Sequence, residues 1–305
     1  MYQFIINPNS RTGFGKRIWQ KLEPILKQRA IQYEAHFTEI HRRGTEIARE
    51  LTKEDEKQTL VVLGGDGTLN EVINGIADFS KVTVGYIPTG SGNDFARSLG
   101  LPKNPLTALE NILAAKRFEE LDIGILSYHD QERRFAVSVG TGFDGAVCHQ
   151  TMKSKFKKAL NMLKVGKLIY VGVALSQLCR MRTEKATIIL DGSETKQFDA
   201  TYFVTIMNLQ YEGGGFKFCP AARADDGYLD VIVVANLTKL RLLLLLPTAF
   251  SGKHVKAKGV HLYRCQQVTI KNTGGMLVHI DGEPLPLQYE TSATLAPNKL
   301  RIISN

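Results

Sequence analysis

Short apolar runs alternate with amphipathic segments over the first 125 residues of the chain. Four apolar runs have the length and composition of strands: Tyr2 to Ile6, Tyr33 to Phe37, Leu60 to Leu63 and Val82 to Ile87. Helical spacing follows them over Lys16 to Lys27, Gly44 to Leu51, Leu69 to Ile76 and a segment that begins near Asp94. This alternation predicts a doubly wound α/β domain over residues 1–125, with a parallel sheet whose ligands bind beyond the carboxyl ends of the strands.

The pattern changes after residue 125 to alternating, β-branched segments separated by turn signals. Predicted strands are Phe135 to Val139, Ala186 to Leu190, Ala200 to Met207, Tyr228 to Val234, Val268 to Lys271 and Met276 to Ile280. They predict a β-rich antiparallel sandwich or barrel-like domain over 126–295, with a helix over Leu237 to Phe250. A last strand near Leu300 to Ile303 could return to the first domain, which residues 296–305 would then complete.

Composition places the chain among ordinary globular proteins. It has 305 residues, of which 43% are hydrophobic and 23% charged, and this excludes a disordered, collagen-like or disulfide-stapled chain. The four cysteines are far apart and form no CxxC pair, so we expect free thiols and a cytoplasmic location. The first ten residues are typical of a strand rather than a signal peptide, and the apolar run Leu242 to Leu246 is far shorter than a membrane span.

The net charge of +9 is unevenly distributed. No Asp or Glu occurs from Gly145 to Thr183 or from Val231 to Ile280, and these stretches carry eight and seven Lys or Arg respectively. Such a basic face suits an anionic partner such as a membrane surface, a phosphorylated substrate or nucleic acid, although a solvated face kept for solubility is an equal alternative. Nucleic acid is disfavoured because the chain has no zinc-finger spacing and no aromatic RNA-binding signature.

A basic amphipathic helix is predicted inside the first of these stretches. Met152, Phe156, Leu160 and Leu163 recur at helical spacing among six lysines between Lys153 and Lys167. Such a helix could lie in a membrane interface with its lysines on anionic headgroups, or it could pack on its own domain.

Two glycine-rich loops predict a phosphate site. The first, Gly64-Gly65-Asp66-Gly67-Thr68-Leu69-Asn70-Glu71, follows a predicted strand and opens a helix, where glycines and amide donors can approach an anion closely. The second, Pro88 to Arg97, repeats this arrangement after the next strand and contains Ser91, Asn93 and Asp94. The alternatives are a tight turn for the first loop and helix caps at Asn93 and Asp94 for the second. A weaker candidate, Asn7 to Lys16, ends the first strand.

Together these motifs resemble the diacylglycerol kinase catalytic family. The resemblance rests on GGDGTLNEVING, PTGSGNDFAR, an N-terminal NPNS, DDGY in the second half and a late DGE, and it spans nearly the whole chain. It implies an ATP-dependent kinase with an interdomain active site, which moves the γ-phosphate of ATP to a lipid hydroxyl. NAD kinases share the GGDGT loop and are the nearest alternative, and a nucleotide-binding regulator without catalysis is the second.

The resemblance also implies residue roles. ATP would meet Asn7, Pro8, Asn9, Ser10, Arg11, Thr38, Gly65, Asp66, Gly67, Thr68, Leu69, Asn70, Glu71 and Ser91. Asp66 and Asp94 would organise Mg²⁺, and Glu283 would be the general base on the acceptor hydroxyl; without the resemblance, Asp281-Gly282 before it indicates only a hairpin turn. A structural Mg²⁺ would lie at Asp226 and the backbone carbonyls of Arg223 and Tyr228, a segment that otherwise indicates a turn.

This chain departs from the family pattern at Arg11, where a glycine usually follows NPxS, and more mildly at Ser91, where threonine is common. We therefore expect the first loop to hold phosphate differently. The expected enzyme works in the cytoplasm at the inner face of an anionic membrane, on a lipid that the sequence does not identify. An edge strand could support a homodimer.

Overall fold

The computed structural model describes residues 1–38, 43–54, 56–153, 178 and 181–304. The chain forms two compact units: Met1–Ile123 together with Ala296–Asn305, and Gly124–Leu295. Apart from its first two residues, the predicted amphipathic helix from Met152 to Lys167 lies outside the described residues.

The first unit contains a six-stranded sheet. Its strands are β1 (Tyr2–Ile6), β2 (Tyr33–Phe37), β3 (Gln58–Gly64), β4 (Val82–Pro88), β5 (Phe118–Leu121) and β15 (Leu300–Ile303), in the order β2-β1-β3-β4-β15-β5. Strands β1 to β4 and β15 pair in parallel, and β5 is antiparallel to β15. Central strands β3 and β4 are almost continuously buried, as expected for a parallel sheet covered on both faces.

The helices of this unit are α1 (Ser10–Gln28), α2 (Arg43–Leu51), α3 (Asp66–Gly75), α4 (Asp94–Ser98) and α5 (Pro105–Ala114). Buried apolar side chains such as Phe4, Trp19, Leu22 and Leu109 join α1 and α5 to the sheet. Helix α1 is interrupted near its start, because Arg11, Thr12 and Gly13 have positive φ.

The second unit is built from antiparallel strands. These are β6 (Gly124–Tyr128), β7 (Gln131–Phe135), β8 (Ser138–Gly142), β9 (Glu184–Leu190), β10 (Glu194–Met207), β11 (Leu229–Ala235), β12 (Val260–Cys265), β13 (Val268–Ile280) and β14 (Glu283–Leu295). Strands β8 and β9 pair with opposite halves of the same two long strands, β10 and β13. Helices α6 (Phe143–Lys153) and α7 (Lys239–Ala249) accompany them.

The predicted fold class is confirmed for both halves of the chain, with two local corrections. The predicted strand Phe135 to Val139 is wrong, because β7 ends at Phe135 and β8 begins at Ser138. Between them, backbone amides bind the Asp281 carboxylate rather than a neighbouring strand. The predicted strands Val268 to Lys271 and Met276 to Ile280 form one strand, with a register shift against β14 between Lys271 and Met276.

Within the described ranges, no helix combines the length and the apolarity that crossing a membrane requires.

Candidate active site

Three loops lie side by side at the carboxyl ends of β1, β3 and β4. Side chains join them: the Asn7 amide donates to the Thr68 hydroxyl over 2.9 Å, and the buried hydroxyls of Ser10 and Thr89 are 2.8 Å apart. Ordinary strand order brings the loops together, since β3 lies between β1 and β4. The structure thus gathers the segments that the sequence singled out in this unit.

The two glycine-rich loops approach each other too closely for side chains. A Cβ atom built on Gly90 would lie 2.6 Å from the Cα atom of Gly65. Gly65 is also the N-cap of α3, in an extended conformation, and no side chain among the described residues caps this helix. The first-turn amides of α3 can therefore donate to a bound anion such as a phosphate.

Two carboxylates lie beside this helix start. Asp66 accepts the backbone amides of Asp94 over 3.1 Å and of Phe95 over 3.2 Å, so it anchors the first turn of α4. Asp94 is 6% exposed and pairs with Arg97. Burial raises the pKa of Tyr86 well above its usual range, and the negative charges of Asp66 and Asp94 raise it further. Asp66 is partly buried and Asp94 is buried. Two neighbouring carboxylates fit a Mg²⁺ ion, which prefers hard oxygen ligands.

The other residues predicted to contact ATP lie in or next to the three loops and helices α2 and α3, and several of them form hydrogen bonds within the first unit. Glu71 accepts the Gly44 amide over 3.1 Å at the start of α2, and the Thr38 hydroxyl donates to the Ile6 carbonyl over 3.4 Å. Ser91 is exposed. The Asn9 amide donates to the Asn7 side chain, the Pro8 carbonyl accepts the Lys16 amide, Gly67 lies in the first turn of α3, and Leu69 and Asn70 are buried in that helix.

Arg11 lies in the left-handed backbone region that glycine adopts more readily than other residues. It has a φ of 45°, and its guanidinium lies 5.5 Å from the centroid of the Phe14 ring. The interruption of α1 lets Gly15 pack closely, since a Cβ atom there would lie 2.1 Å from the Asn7 carbonyl oxygen.

In the second unit, Glu283 follows a two-residue hairpin turn. Asp281 and Gly282 have φ values of 46° and 82°, and Ile280 pairs with Glu283, as a primed β-turn requires. The Asp281 carboxylate accepts the amides of Ala136, Val137 and Ser138 over 2.8 to 2.9 Å. The prediction of a hairpin turn at Asp281-Gly282 is thus correct. This turn determines the position of Glu283, which is the first residue of β14.

A buried cluster beside this turn was missed by the sequence reasoning. The Nε2 atom of His279 lies 3.1 Å from an Asp144 oxygen and 2.9 Å from a Glu212 oxygen. Each residue comes from a different segment and belongs to no spaced motif, so no sequence signal joins them.

Proton placement decides what this cluster can bind. Burial lowers the pKa of His279, but the two carboxylates outweigh it and raise that pKa well above its usual value. The Gly282 amide, however, donates to Nδ1 over 3.3 Å and so opposes a second proton on the ring. Burial and the charge of Asp144 raise the pKa of Glu212 to about 7, and we place the additional proton there.

The three ligand atoms of this cluster lie within 4.8 Å of one another, a spacing that suits a metal ion. Because Nδ1 accepts the Gly282 amide, the ring proton is on Nε2, which leaves that atom no lone pair for a metal. The cluster is therefore better described as a hydrogen-bonded support for the Asp281-Gly282 turn.

The predicted structural metal position is a tight turn before β11. Asp226 accepts the Tyr228 amide over 3.2 Å and pairs with Arg264, while the Arg223 side chain pairs with Asp225. One carboxylate and two backbone carbonyls fit Mg²⁺ by their chemistry. Arg264 already neutralises Asp226, so a metal would compete with it.

Comparisons with known proteins agree with this architecture. The diacylglycerol kinase catalytic domain model matches residues 1–126, and the model of the YegS C-terminal NAD kinase beta sandwich-like domain matches residues 137–304. A Bacillus subtilis (strain 168) protein, provisionally named as the lipid kinase YtlR, is 29% identical over 98% of both chains. The Staphylococcus saprophyticus diacylglycerol kinase is 32% identical over 92% of this chain and 88% of its own.

Solved structures show the same fold. A Bacillus anthracis diacylglycerol kinase superposes with a TM-score of 0.74 at 21% identity, covering 100% of this chain and 96% of its own. An NAD kinase from Archaeoglobus fulgidus in complex with ATP gives 0.54 at 13% identity, over 100% and 94% of the two chains. By its sequence matches, the chain belongs to the diacylglycerol kinase catalytic family and is an ATP-dependent lipid kinase.

Proposed function

We propose that this enzyme transfers the γ-phosphate of ATP to the hydroxyl of diacylglycerol and releases phosphatidic acid. The observation that carries the proposal is the turn that holds Glu283. Three backbone amides fix Asp281, and this places a carboxylate directly after the turn, at the start of β14. A protein that only bound nucleotide would have no need of such a base. The acceptor is proposed from the relatives that carry the name diacylglycerol kinase.

The three loops of the first unit would bind ATP. The first-turn amides of α3 would meet the phosphates, and the glycine pair Gly65 and Gly90 would let them approach the backbone. Asp66 and Asp94 would hold Mg²⁺, which when bound neutralises charge on the phosphate oxygens. Asp66 would do so while its carboxylate accepts the backbone amides of Asp94 and Phe95.

Glu283 would act as the general base. As the acceptor oxygen bonds to the γ-phosphorus, the bond from that phosphorus to the bridging oxygen of ADP breaks, and the hydroxyl proton passes to the Glu283 carboxylate. Arg133 pairs with this carboxylate and would hold its orientation. Its role is positioning.

Two further parts of the proposal concern the membrane and a structural metal site. A diacylglycerol acceptor lies in a bilayer, so we propose that the enzyme works as a peripheral protein at the cytoplasmic face of an anionic membrane, helped by the acid-free basic stretches. We also propose a structural Mg²⁺ at Asp226 and the carbonyls of Arg223 and Tyr228, in competition with Arg264.

The test is transfer of label from [γ-³²P]ATP with Mg²⁺ to diacylglycerol, a sphingoid base, a monoacylglycerol or an isoprenoid alcohol in mixed micelles, with NAD offered in parallel. We expect labelled phosphatidic acid, a loss of turnover of at least 100-fold in Glu283→Gln, and unchanged ATP affinity in that variant. Glu290→Gln is the matched control, since Glu290 lies in the same strand, about half exposed beside Lys271. Label on another lipid would identify that lipid as the acceptor instead of diacylglycerol, and label on NAD would favour the NAD-kinase alternative. Full turnover in Glu283→Gln would show that Glu283 is not the general base.

A further inference from the structure

Helix α7 has its apolar side chains on both faces. Leu242 and Ala249 are buried against the second unit. The opposite face presents Leu240 and Leu244, each 67% exposed, and Leu243, 36% exposed. Positions 240, 244 and 247 recur at i, i+4 and i+7 and therefore form one stripe, which ends in an exposed proline.

This stripe is unusual for a helix on a protein surface. A surface helix ordinarily turns its apolar residues to the core and its polar residues to water. Phe250 extends the exposed apolar surface, and its ring stacks on that of Phe216 with the centroids 4.1 Å apart. A continuous exposed apolar surface of this kind marks an interaction site.

Exposed cations lie on α7 and on the segment that follows it. Lys239 and Arg241 flank the stripe on the helix, and Lys253, Lys256 and Lys258 follow in and just after the short 3₁₀ helix that contacts α7; all five are exposed. No acidic residue occurs between Val231 and Ile280. The surface therefore combines exposed leucines with several exposed positive charges.

We propose that this surface, defined by Leu240, Leu243, Leu244 and Phe250 with the five cations, docks the enzyme on an anionic lipid bilayer. The leucines enter the boundary between headgroups and acyl chains, and the cations contact anionic headgroups. This inference rests on the proposed function only in that a lipid acceptor gives the enzyme a reason to dock, and its test needs no catalysis.

Charge favours a bilayer over a second copy of the chain. In a two-fold dimer the same patch meets itself, so this surface would place its cations against the same cations. An anionic bilayer offers the opposite charge, together with an apolar layer for the leucines.

The test measures cosedimentation of the full chain with phosphatidylcholine vesicles that contain 0 or 30% phosphatidylglycerol, without ATP. We expect binding that requires phosphatidylglycerol and weakens as salt increases. Leu240→Glu/Leu244→Glu should weaken it at least tenfold, and each of Lys253→Ala and Lys256→Ala about fivefold. The matched control is Leu106→Glu, which replaces a 45% exposed leucine of α5 in the first unit and should bind like the wild type.

The readouts keep failure of the docking surface apart from failure of the proposed function. Binding by the double variant equal to that of the control would overturn the surface, whatever the kinase assay gives. A wild-type dimer that the double variant converts to a monomer, as measured by light scattering, would assign the surface to a second copy and also overturn the proposal. Vesicle binding lost in the double variant, with phosphorylation in mixed micelles retained, would support both. If no lipid is phosphorylated although the vesicle results are as expected, the surface stands and the proposed function fails.

Discussion

The carboxylate of Glu283 pairs with the guanidinium of Arg133, and each side chain is 15% exposed. Glu283 begins β14 and Arg133 lies in β7, with β6 between the two strands in the sheet. The proposed base is therefore held from two directions, by the Asp281 turn through its backbone and by an arginine two strands away through its side chain.

Arg133→Ala should reduce kcat for phosphate transfer about tenfold or more without changing the KM for ATP. It leaves the Glu283 carboxylate partly buried and unpaired, and breaking a buried pair costs roughly 3 kcal/mol, so the unfolding temperature should also fall. Arg133→Lys should be intermediate, since a lysine keeps the charge but not the planar fork. Arg134→Ala, the neighbouring position with its side chain on the other face of β7, controls for turnover. Wild-type kcat in Arg133→Ala would show that the ion pair has no positioning role.

Gly90→Ala should weaken ATP binding strongly. The new methyl group would lie 2.6 Å from the Cα atom of Gly65, so the two loops must separate. We expect at least a tenfold higher Kd for ATP by calorimetry. Gly100→Ala is the control: Gly100 has a φ of 64° with open space around it, so alanine there adds only backbone strain of about 1 kcal/mol. Equal Kd values for the two variants would contradict the close approach as the cause.

The sequence predicted the first unit well because its elements are simple. In β3 and β4 nearly every residue is buried, so each gives a continuous apolar run bounded by a glycine loop. The alternation of such runs with helices then determines which loops share an edge. Helix α4 begins at Asp94, as the sequence predicted, and is five residues long.

The sequence predicted the second unit less completely. Strand β7, with the sequence QERRF, carries too many polar residues to give a strand signal, and β5 of the first unit, with FEEL, was missed for the same reason. The supports of the turn before Glu283 are long-range: Arg133 is 150 positions away from Glu283, and the amides that bind Asp281 are about as distant. Pairings of this kind follow from sheet topology and have no local pattern.

Magnesium should stabilise the second unit without nucleotide present. At tenfold excess over its Kd, a ligand of the folded state adds about 1.4 kcal/mol, or roughly 3 °C in unfolding temperature. Asp226→Asn should abolish this shift, and Arg264→Ala should enlarge it because the competing cation is removed. Asp225→Asn, whose carboxylate pairs with Arg223 instead, should keep it. A shift that persists in Asp226→Asn would locate the metal elsewhere.

The stability of the enzyme should fall as pH rises from about 5 to about 7.5, and Glu212→Gln should flatten this dependence. Burial, then the charge of Asp144, raises the pKa of Glu212 from 4.5 to about 7 in the folded state. The folded state therefore binds more protons than the unfolded state in this range. The resulting stability is complete below about 4.5 and is lost as pH rises through about 7, a difference of about 3 kcal/mol.

Glutamine keeps the shape of Glu212 but cannot ionise, so thermal unfolding midpoints of Glu212→Gln should change less between pH 5 and 7.5 than those of the wild type. Glu194→Gln, at an exposed glutamate paired with Lys196, should keep the wild-type dependence of stability on pH.

The cluster of Asp144, Glu212 and His279 is also linked to the turn before Glu283, because the Gly282 backbone amide donates to the Nδ1 atom of His279. Ionisation of the buried Glu212 above about pH 7 sets its negative charge against that of Asp144 beside His279, and this repulsion loosens the cluster that supports the turn. Turnover of the wild type should then decline above about pH 7, and that of Glu212→Gln should decline less. If turnover depends on pH in the same way in both proteins, the cluster does not influence Glu283.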